Sequence, residues 1–594
     1  MGPFDIMRWP EEGRQRAARW AVLAVMAALL AYLVGRAVRV DGLGAYAIYD
    51  DTMRVVQLRD WIQGQGWFDT TQYRLGLDGG TAIHWSRLID LPIAMLAWAL
   101  GLFMEDEAAL NWAVTLWPPL TGLGVVAATA WAGRALQGAW GAVIGAVIGA
   151  KYVVFSSLFF AGQVDHHNVQ QLCILVAVLA LVIGDRSRRK GAVAGLAVAL
   201  SLAVGTEALL FCAMICAIVA LDWALSQDRS GMAGAFGLGL AGGVSAAFLA
   251  TIAPSNWGAP LCDQLSSVFV LASLCGGVGL YGLERFLPDD RLKRMGGLVL
   301  LGVICAGVML LFAPQCLANP LDDLPQPVQD YWLANITEAV PIYQNDGQLA
   351  LRLWIVLPLP LLAFAVLATH AWQRRLTRGE GLLLILMIGG LAFTIYQVRF
   401  SAFLWTFSTI AILFGLVRWR GGTERYSTGV LVLTLALMLS PSMLATPGMI
   451  LMQQQQAPED ALPMDGASSE QAFACEHKQL AAVMKSMPTG RILAPYNSAP
   501  TLLLETGHSV VSGSYHRNVE GLSAHIAIAT AAPDDALRRL REAEVDYVVY
   551  CPAESAIFVA EDRDTLYARL SRLEPVAGLM LIHDGASDIY AVER

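Results

Sequence analysis

Two adjacent acidic residues, Asp50 and Asp51, follow shortly after the first long apolar run of the chain. Adjacent carboxylates repel each other unless a cation or a basic neighbour compensates their charge. The pair is therefore either fully hydrated or part of a ligand set for a cation. The polar segment that follows, RDWIQGQGWFDTTQYRLGLDGGTAIHWSRLID, contains two secondary candidates for the same site, His84 and Arg87.

A second group of candidates lies in FFAGQVDHHNVQQ, a short turn that contains Asp165, His166 and His167. Asp165 and His167 offer a hard oxygen and an imidazole nitrogen at neighbouring positions of this turn. Such a pair suits octahedral Mn²⁺ or Mg²⁺, completed by distant carboxylates and water, whereas a zinc site needs more Cys or His. His166 and His84 are also candidate general bases, because imidazole titrates near neutral pH.

Three further charged residues stand between apolar runs. Glu338 is the acidic residue of the stretch ANITEAVPIYQ. Arg399, in YQVRFSAF, lies at a membrane boundary, where a charge is costly unless it snorkels or is paired, so we expect it either to snorkel or to bind an anion. Glu207, in AVGTEAL, is either a plain turn residue or a further acidic group of the site.

Membrane helices must position these residues, because the composition excludes an ordinary soluble protein. The 594 residues are 56% hydrophobic and 15% charged, against about 45–50% and about 25% in soluble domains. The apolar residues form runs of the length that a bilayer core demands. A net charge of −9 without a basic stripe argues against a nucleic-acid partner. The first run lacks a cleavage site, which predicts a retained helix and a cytoplasmic N-terminus.

About thirteen membrane helices are predicted from the apolar runs and the positive-inside rule. They lie near 20–38, 111–132, 138–160, 169–184, 191–206, 208–226, 232–253, 265–283, 295–312, 349–370, 381–396, 401–417 and 427–445. With this count every strong basic cluster falls on the cytoplasmic side and the C-terminal region lies outside. The short run 88–103 contains Asp90 and Pro92, and we interpret it as an interfacial helix in the first outer loop.

The predicted organisation is a polytopic α-helical membrane domain followed by a small extracytoplasmic α/β domain. Strand-like RILAPY and VDYVVYC and the helical periodicity of DDALRRLREAE indicate the second domain. The predicted parts are the membrane domain 1–446 with outer loops at about 39–110, 161–168 and 313–348, a polar linker 447–474, and the outer domain 475–594.

Four of the nine cysteines are candidates for disulfide bonds. Cys262 with Cys316, and Cys475 with Cys551, could bridge if these segments are exported to an oxidising compartment. The sequence alone leaves both pairings open, because it does not give the geometry.

In chain order, these residues resemble the catalytic subunit of oligosaccharyltransferases and its single-subunit bacterial and archaeal relatives, within the GT-C superfamily of polyprenyl-sugar glycosyltransferases. The resemblance implies thirteen membrane helices, a cytoplasmic N-terminus and an outer C-terminal domain. It implies that Asp50 is the catalytic aspartate of the first outer loop, followed by a G-T-x-x-H/Y element at Gly80 to His84. Asp165 and His167 match the Asp-x-Asp/Glu/His motif of the second loop.

The resemblance also assigns roles to two later residues. Glu338, in NITE, matches the glutamate of a T-I-x-E or S-V-S-E element, and Arg399 is the candidate for an arginine that helps to hold the donor phosphates. The match ends in the outer domain. A W-W-D-x-G element, which grips the Ser or Thr of an acceptor sequon in this family, should fall near 494–498, but the tryptophans and the aspartate are missing.

The predicted function is transfer of a sugar or glycan from a polyprenyl phosphate or pyrophosphate donor to a protein, lipid or polysaccharide acceptor on the periplasmic face. A divalent cation, Mn²⁺ or Mg²⁺, is expected to bind Asp50, Asp165 and His167, with Asp51 as an alternative ligand. Arg399 would hold the donor phosphate, and Glu338 would bind the acceptor or reach the metal. The expected location is a bacterial inner membrane, with an archaeal membrane as the alternative.

Three other functions are weighed against this prediction. A monosaccharide transferase would use a polyprenyl monophosphate sugar to modify lipid A, another glycolipid or a surface polysaccharide, and the missing sequon clamp favours it. A transporter or flippase predicts paired charges near mid-membrane and broken helices, whereas the acidic candidates lie in outer loops. A sensor would explain the outer domain but not the loop acids.

Overall fold

The computed structural model describes residues 11–41, 49–226, 228–317, 321, 323–336, 339–344, 349–420, 475–559 and 564–593. Helices dominate these residues. In chain order they are α1 (Glu11–Arg36), α2 (Tyr49–Ile62), α3 (Arg87–Gly101), α4 (Asp106–Ser156), α5 (His167–Val182), α6 (Arg188–Val204), α7 (Leu209–Ser226), α8 (Met232–Thr251), α9 (Ser267–Phe286), α10 (Arg291–Phe312), α11 (Gln326–Tyr331), α12 (Leu349–Val356), α13 (Pro358–Trp372), α14 (Arg378–Tyr396), α15 (Ser401–Arg420), α16 (His477–Lys485), α17 (Ala499–Glu505), α18 (Val519–Ala529), α19 (Pro533–Glu542), α20 (Pro552–Ser555) and α21 (Leu566–Ser571).

Seven short strands accompany the helices. They are β1 (Thr71–Gln72), β2 (Thr81–Ala82), β3 (Arg491–Leu493), β4 (Ser509–Val510), β5 (Tyr547–Tyr550), β6 (Leu579–His583) and β7 (Asp588–Val592). The described residues form two compact units. The first contains those within 11–41, 86–317 and 339–420, and the second contains those within 49–85, 321–336 and 475–593.

The first unit is a bundle of apolar helices, and the chain is a membrane protein. Among the described residues, eight helices are long and apolar enough to cross a bilayer: α1, α4, α7, α8, α9, α10, α14 and α15. The pair α12 and α13 adds a ninth if it forms one span bent by 45°. The count of thirteen stays a prediction, and the last predicted span, 427–445, lies outside the described residues.

Helix α4 is a hairpin rather than one rod. Its 51 residues are interrupted at Gln137 and Gly138, whose backbone angles are not helical. The two arms touch through their backbones, since a β-carbon on Gly141 would lie 2.0 Å from the carbonyl oxygen of Gly133. The turn predicted between the second and third membrane helices is therefore confirmed.

Charged connections gather at one end of the first unit. Asp222, near the end of α7, receives hydrogen bonds from Arg186 at 2.9 and 3.0 Å and from Arg378 at 3.0 Å. Arg294, in the first turn of α10, donates to the carbonyl oxygen of Asp228 at 3.0 Å. Four inter-helix connections thus meet at one end, in agreement with the common side that the basic clusters predict.

Helix α3 presents an apolar stripe at its surface. Leu91, Met95 and Trp98 are 38%, 62% and 73% exposed, and their spacing places them on one face. The opposite face is buried and holds an ion pair between Arg87 and Asp90 at 3.0 Å. A helix with one exposed apolar face suits the membrane surface, and the interfacial location stays a prediction.

The second unit is built around a five-stranded sheet in the order β4-β3-β5-β7-β6. Strand β3 is parallel to β4 and β5, while β7 is antiparallel to β5 and β6. The segments RILAPY and VDYVVYC contain β3 and β5, and the periodic segment after Asp534 lies largely in α19. The predicted small α/β fold at the C-terminus is confirmed.

Segments expected as outer loops of the membrane domain are part of this second unit. Val510, on β4, donates a backbone hydrogen bond to the carbonyl of Arg74 at 2.8 Å and accepts one from Gly76 at 2.8 Å. Trp332 donates from its indole nitrogen to Ser514 Oγ at 3.0 Å. The sheet domain is therefore completed by chain segments that precede it by more than a hundred residues.

Both candidate disulfide bonds are present. Cys262 bonds to Cys316 in the first unit, with Cα atoms 5.2 Å apart, and Cys475 bonds to Cys551 in the second, with Cα atoms 6.0 Å apart. All four cysteines lie in segments predicted to be outside. Because disulfides persist in oxidising compartments, the two bonds agree with that predicted side.

Candidate active site

The turn before α5 brings three titratable side chains together. Asp165 Oδ1 lies 2.6 Å from His166 Nδ1, and Asp165 Oδ2 lies 3.3 Å from His167 Nε2. Ligand atoms of the three residues lie within 4.8 Å of one another, a spacing that allows a metal ion. Asp165 is buried, whereas the His167 side chain is 35% exposed. The cluster predicted from DHH thus has one buried anchor and one accessible imidazole.

Glu207 completes this cluster from a distant position in the sequence. Its Oε2 lies 2.9 Å from His166 Nε2, so a carboxylate contacts each nitrogen of the buried ring. Burial by itself lowers the pKa of His166, but the charges of Asp165 and Glu207 outweigh it and raise the pKa to about 10. A protonated imidazole cannot accept a proton. The geometry therefore suits His166 to orienting Asp165 rather than to general base catalysis.

Two residues that sequence reasoning did not single out hold Glu207 in place. Gln170 donates to Glu207 Oε2 at 3.3 Å and to the carbonyl of Gly205 at 2.9 Å. A β-carbon on Gly205 would lie 2.5 Å from both Glu207 Oε2 and the His166 ring. Only glycine leaves this space. Neither residue belongs to a local motif, because the contact joins the ends of separate helices.

Arg399 lies in the 3₁₀ turn Val398–Phe400 between α14 and α15. Its Nε donates to Gln397 Oε1 at 3.0 Å, and within the described residues no carboxylate forms an ion pair with it. A backbone hydrogen bond of 3.0 Å from Val398 to Val340 ties the turn to the segment 339–344. A partly exposed guanidinium without a carboxylate partner is suited to binding an anion.

An aromatic cluster places Arg399 at the same end of the unit as the acidic group. Phe211, four residues after Glu207, packs on Phe400 with ring centroids 5.6 Å apart and stacks on Phe403 at 4.3 Å. Phe400 is buried next to Arg399. The starts of α7 and α15 are therefore held together, and with them the acidic cluster and the arginine.

The predicted ligands of the first outer loop are on the second unit. Asp50 and Asp51 lie in the first turn of α2, where the helix dipole favours negative charge. Asp51 is fully buried, while Asp50 is partly exposed. Their assembly with Asp165 into one site stays a prediction, and Glu338 lies outside the described residues.

The secondary candidates of the first loop have local partners. His84 lies beside His516 of the sheet domain, with ring centroids 4.6 Å apart. His516 is a further residue that sequence reasoning missed, since nothing local connects it to His84. Arg87 is buried in its ion pair with Asp90, which suits it to holding α3 rather than to contacting a substrate.

The segment expected to carry an acceptor clamp is buried. Residues 494–498 enter the short turn Tyr496–Ser498, and the Tyr496 ring packs edge-on against His525, with centroids 5.0 Å apart. Ser498 Oγ donates to the carbonyl of Pro495 at 2.6 Å. Asn497 alone in this segment is partly exposed, so these side chains serve the domain core.

Comparison with solved structures identifies the fold. The archaeal oligosaccharyltransferase AglB from Archaeoglobus fulgidus, solved with an inhibitory peptide and a dolichol-phosphate, superposes with a TM-score of 0.64 at 15% identity, covering 90% of this chain and 69% of that chain. The chain therefore shares the fold of this archaeal enzyme. Neither protein-family models nor curated protein sequences gave a match.

Two other structures of the A. fulgidus oligosaccharyltransferase share this fold with the chain. One, tethered to an acceptor peptide containing the NVT sequon, has a TM-score of 0.62 at 14% identity and covers 89% of this chain and 69% of that chain. The other, a complex with Zn and sulfate, has a TM-score of 0.60 at 15% identity and covers 89% and 67%. At this identity the likeness establishes the fold alone.

Proposed function

We propose that the chain is a membrane glycosyltransferase that moves a sugar or glycan from a polyprenyl phosphate or pyrophosphate donor to an acceptor on the outer face of a bacterial inner membrane. The observation that carries the proposal is the cluster of Asp165, His166, His167 and Glu207 at the same end of a GT-C membrane unit as Arg399. The dolichol-phosphate bound to the A. fulgidus enzyme supports a polyprenyl donor.

The donor set fits a divalent cation. Asp165 Oδ1 is engaged by His166, which leaves Oδ2 directed to the accessible His167. One carboxylate oxygen and one imidazole nitrogen suit Mn²⁺, and Mg²⁺ with more oxygen ligands. Asp50 is the proposed further ligand, because Asp51 is fully buried. A cation bound here would neutralise the charge that develops on the donor phosphate.

Three other residues have proposed roles in the reaction: Arg399, His166 and Glu338. Arg399 holds the phosphate through charge-assisted hydrogen bonds, which strengthen as the anomeric C–O bond breaks and negative charge grows. His166, fixed between two carboxylates, keeps Asp165 in one orientation. Glu338 is proposed to contact the acceptor or the cation. Apolar helix faces of the membrane unit accommodate the polyprenyl tail.

The test is transfer by the purified protein from polyprenyl-linked sugars to a membrane extract, with and without EDTA. Asp165→Asn and Asp50→Asn are each expected to lower turnover at least a hundredfold, and EDTA to abolish it reversibly. Asp106→Asn is the matched control, since Asp106 is exposed at the start of α4. Transfer that is independent of metal and survives both substitutions would refute the proposed site.

The buried clamp segment favours a non-peptide acceptor as a second candidate. Because Tyr496 and Ser498 are inside the domain core, they are not available to grip a sequon of the kind tethered to the A. fulgidus enzyme. The chain would then be a monosaccharide transferase that modifies a glycolipid or a surface polysaccharide. Labelled donor supplied with an NVT peptide, lipid A or polysaccharide distinguishes the two, since only the true acceptor gains label.

A further inference from the structure

A cleft of about 690 Å³ opens at the other end of the membrane unit. Its walls are formed by the start of α6, the α7–α8 connection, the C-terminal end of α9 and the N-terminal end of α10. Helix α6 begins in the cleft at Arg188 and ends just before Glu207, which follows its last residue by three positions. At 1.5 Å per residue the cleft and the acidic cluster are about 25 Å apart, so the cleft is a separate site.

The cleft carries more positive charge than its own acids neutralise. Four arginines and three acidic residues line it. Arg229 and Arg294 share one carboxylate, that of Asp289. Within the described residues, Arg188 and Arg285 form no ion pair. Two guanidinium groups therefore remain for an external anion.

Two acidic residues of the cleft, Glu284 and Asp228, accept hydrogen bonds from the protein itself. Glu284 Oε2 accepts a hydrogen bond from the backbone of Gly234 at 2.6 Å, at the N-terminus of α8. Asp228 Oδ2 accepts from Ser230 Oγ at 2.7 Å, and its Oδ1 accepts from the Ser230 backbone at 3.1 Å. These carboxylates stabilise the α7–α8 connection. They therefore offset the positive charge of Arg188 and Arg285 only in part.

Packing fixes one of these two arginines at the cleft wall. The Arg188 side chain lies against Gly231, where a β-carbon would come within 2.4 Å of Nε. Gly231 has a φ of 76°, a backbone conformation that glycine adopts without strain. The stem of the Arg188 side chain therefore lies against the α7–α8 connection, at the wall of the cleft.

The rest of the wall is apolar and continues along the helices. Ala235 and Leu238 on α8 and Tyr281 on α9 line the cleft beside the arginines. Leu238 is 43% exposed and Tyr281 42%, so an apolar surface runs away from the charged end. A soluble anion would use only the arginines, whereas a phospholipid has a phosphate for them and acyl chains for this surface.

We propose that this cleft binds an anionic phospholipid, with its phosphate between Arg188 and Arg285 and an acyl chain along Leu238 and Tyr281. Basic pockets between membrane helices at the cytoplasmic end recognise such headgroups. The inference does not depend on the glycosyltransferase proposal, because it uses other residues at the other end of the unit.

The experiment measures lipid retention by native mass spectrometry of the full-length protein released from vesicles of phosphatidylglycerol and phosphatidylcholine. The variant Arg188→Gln/Arg285→Gln is compared with Arg189→Gln/Arg374→Gln. The control pair removes the same charge from the same end of the unit, at positions outside the cleft. Thermal unfolding of both variants checks the fold.

We expect the wild type and the control to retain phosphatidylglycerol in preference to phosphatidylcholine, and the cleft variant to lose about tenfold or more of that retention. Equal losses in both double variants would mean a diffuse surface charge effect and overturn the proposal. Retention of phosphatidylcholine to the same extent would also overturn it. Displacement of the lipid by inorganic phosphate at equal concentration would identify a free-anion site and reject the lipid.

Discussion

Glu207 Oε2 lies 2.9 Å from Nε2 of His166, although the two residues are 41 positions apart. The opposite nitrogen of the same ring contacts Asp165, so the imidazole links two carboxylates. Partners behind a metal-binding carboxylate fix its orientation. This arrangement suits Glu207 and His166 to holding Asp165, a proposed metal ligand, in one orientation.

Glu207→Gln tests this link. The amide keeps the size of the side chain but removes the charge that opposes the His166 imidazolium, so Asp165 is held less firmly. We expect Mn²⁺ affinity and turnover to fall together by about 10–100-fold. Mn²⁺ binding measured by electron paramagnetic resonance and transfer from a labelled polyprenyl donor provide the two readouts.

The matched control is Glu105→Gln, because Glu105 is exposed at the start of α4 and its side chain does not cap the helix. The control should change neither readout. If Glu207→Gln lowered thermal stability while Mn²⁺ affinity stayed the same, Glu207 would have only a structural role.

Gly205→Ala tests the close packing around the same pair. The new methyl group would lie 2.5 Å from the Glu207 carboxylate and from the His166 ring, so one of them must move. Overpacking of this kind costs about 1–3 kcal/mol, and we expect a lower melting temperature together with reduced transfer. Gly242→Ala, which meets no atom within 4 Å, should retain both properties, and equal behaviour of the two variants would refute the contact.

Loss of the disulfide in the sheet domain should destabilise that domain. Cys475 and Cys551 are both buried, and their bond closes a separation of 76 residues. Removal of a native disulfide typically costs about 2–5 kcal/mol. We expect Cys475→Ala/Cys551→Ala to unfold at a lower temperature than the wild type by scanning calorimetry.

Cys173→Ala is the control for that measurement, because Cys173 is a free cysteine in α5. Alkylation before and after reduction gives an independent check. Four cysteines should become reactive only after reduction: Cys262, Cys316, Cys475 and Cys551. Alkylation of all nine without reductant would contradict both bonds.

The sheet domain should become less stable as the pH is lowered, because of His525. Burial lowers the pKa of His525 to about 3, below the value of about 6.5 in an unfolded chain. The neutral ring is favoured in the fold, so this stabilisation is complete above about pH 6.5 and is lost as pH falls toward 3. The expected loss is about 1.4 kcal/mol per pH unit in this window.

Thermal unfolding of His525→Gln between pH 7.5 and 5.5 checks this expectation. The ring nitrogens of His525 contact Ser512 Oγ at 2.6 Å and the Tyr567 hydroxyl at 3.2 Å, so the variant is expected to be less stable at neutral pH but less sensitive to acid. His583→Gln, at the end of β6, should keep the pH dependence of the wild type. Parallel pH profiles for all three proteins would rule out His525 as the cause.

Local patterns in the sequence were sufficient to predict a helical membrane protein with a small α/β fold, while the count of thirteen spans stays a prediction. An apolar run of bilayer length predicts a membrane environment, because each apolar residue contributes its own favourable free energy of transfer into the bilayer. The turn near Gln137, the strands around Ile492 and Val548, and the Asp165 cluster could all be predicted in this way, since each depends on residues close together in the chain.

Contacts between distant segments were decided by the tertiary structure alone. No local pattern couples Glu207 or Gly205 to His166, because these contacts form only when helix ends meet. The same holds for Arg188 and Arg285, which line one cleft from different helices. For this reason the role that the structure suggests for His166, orienting Asp165, differs from the general base predicted from the sequence. An isolated imidazole is a candidate general base near neutral pH, but the buried Asp165 and the partly exposed Glu207 contact the two nitrogens of this ring and raise its pKa. Their approach is a property of the packed helices.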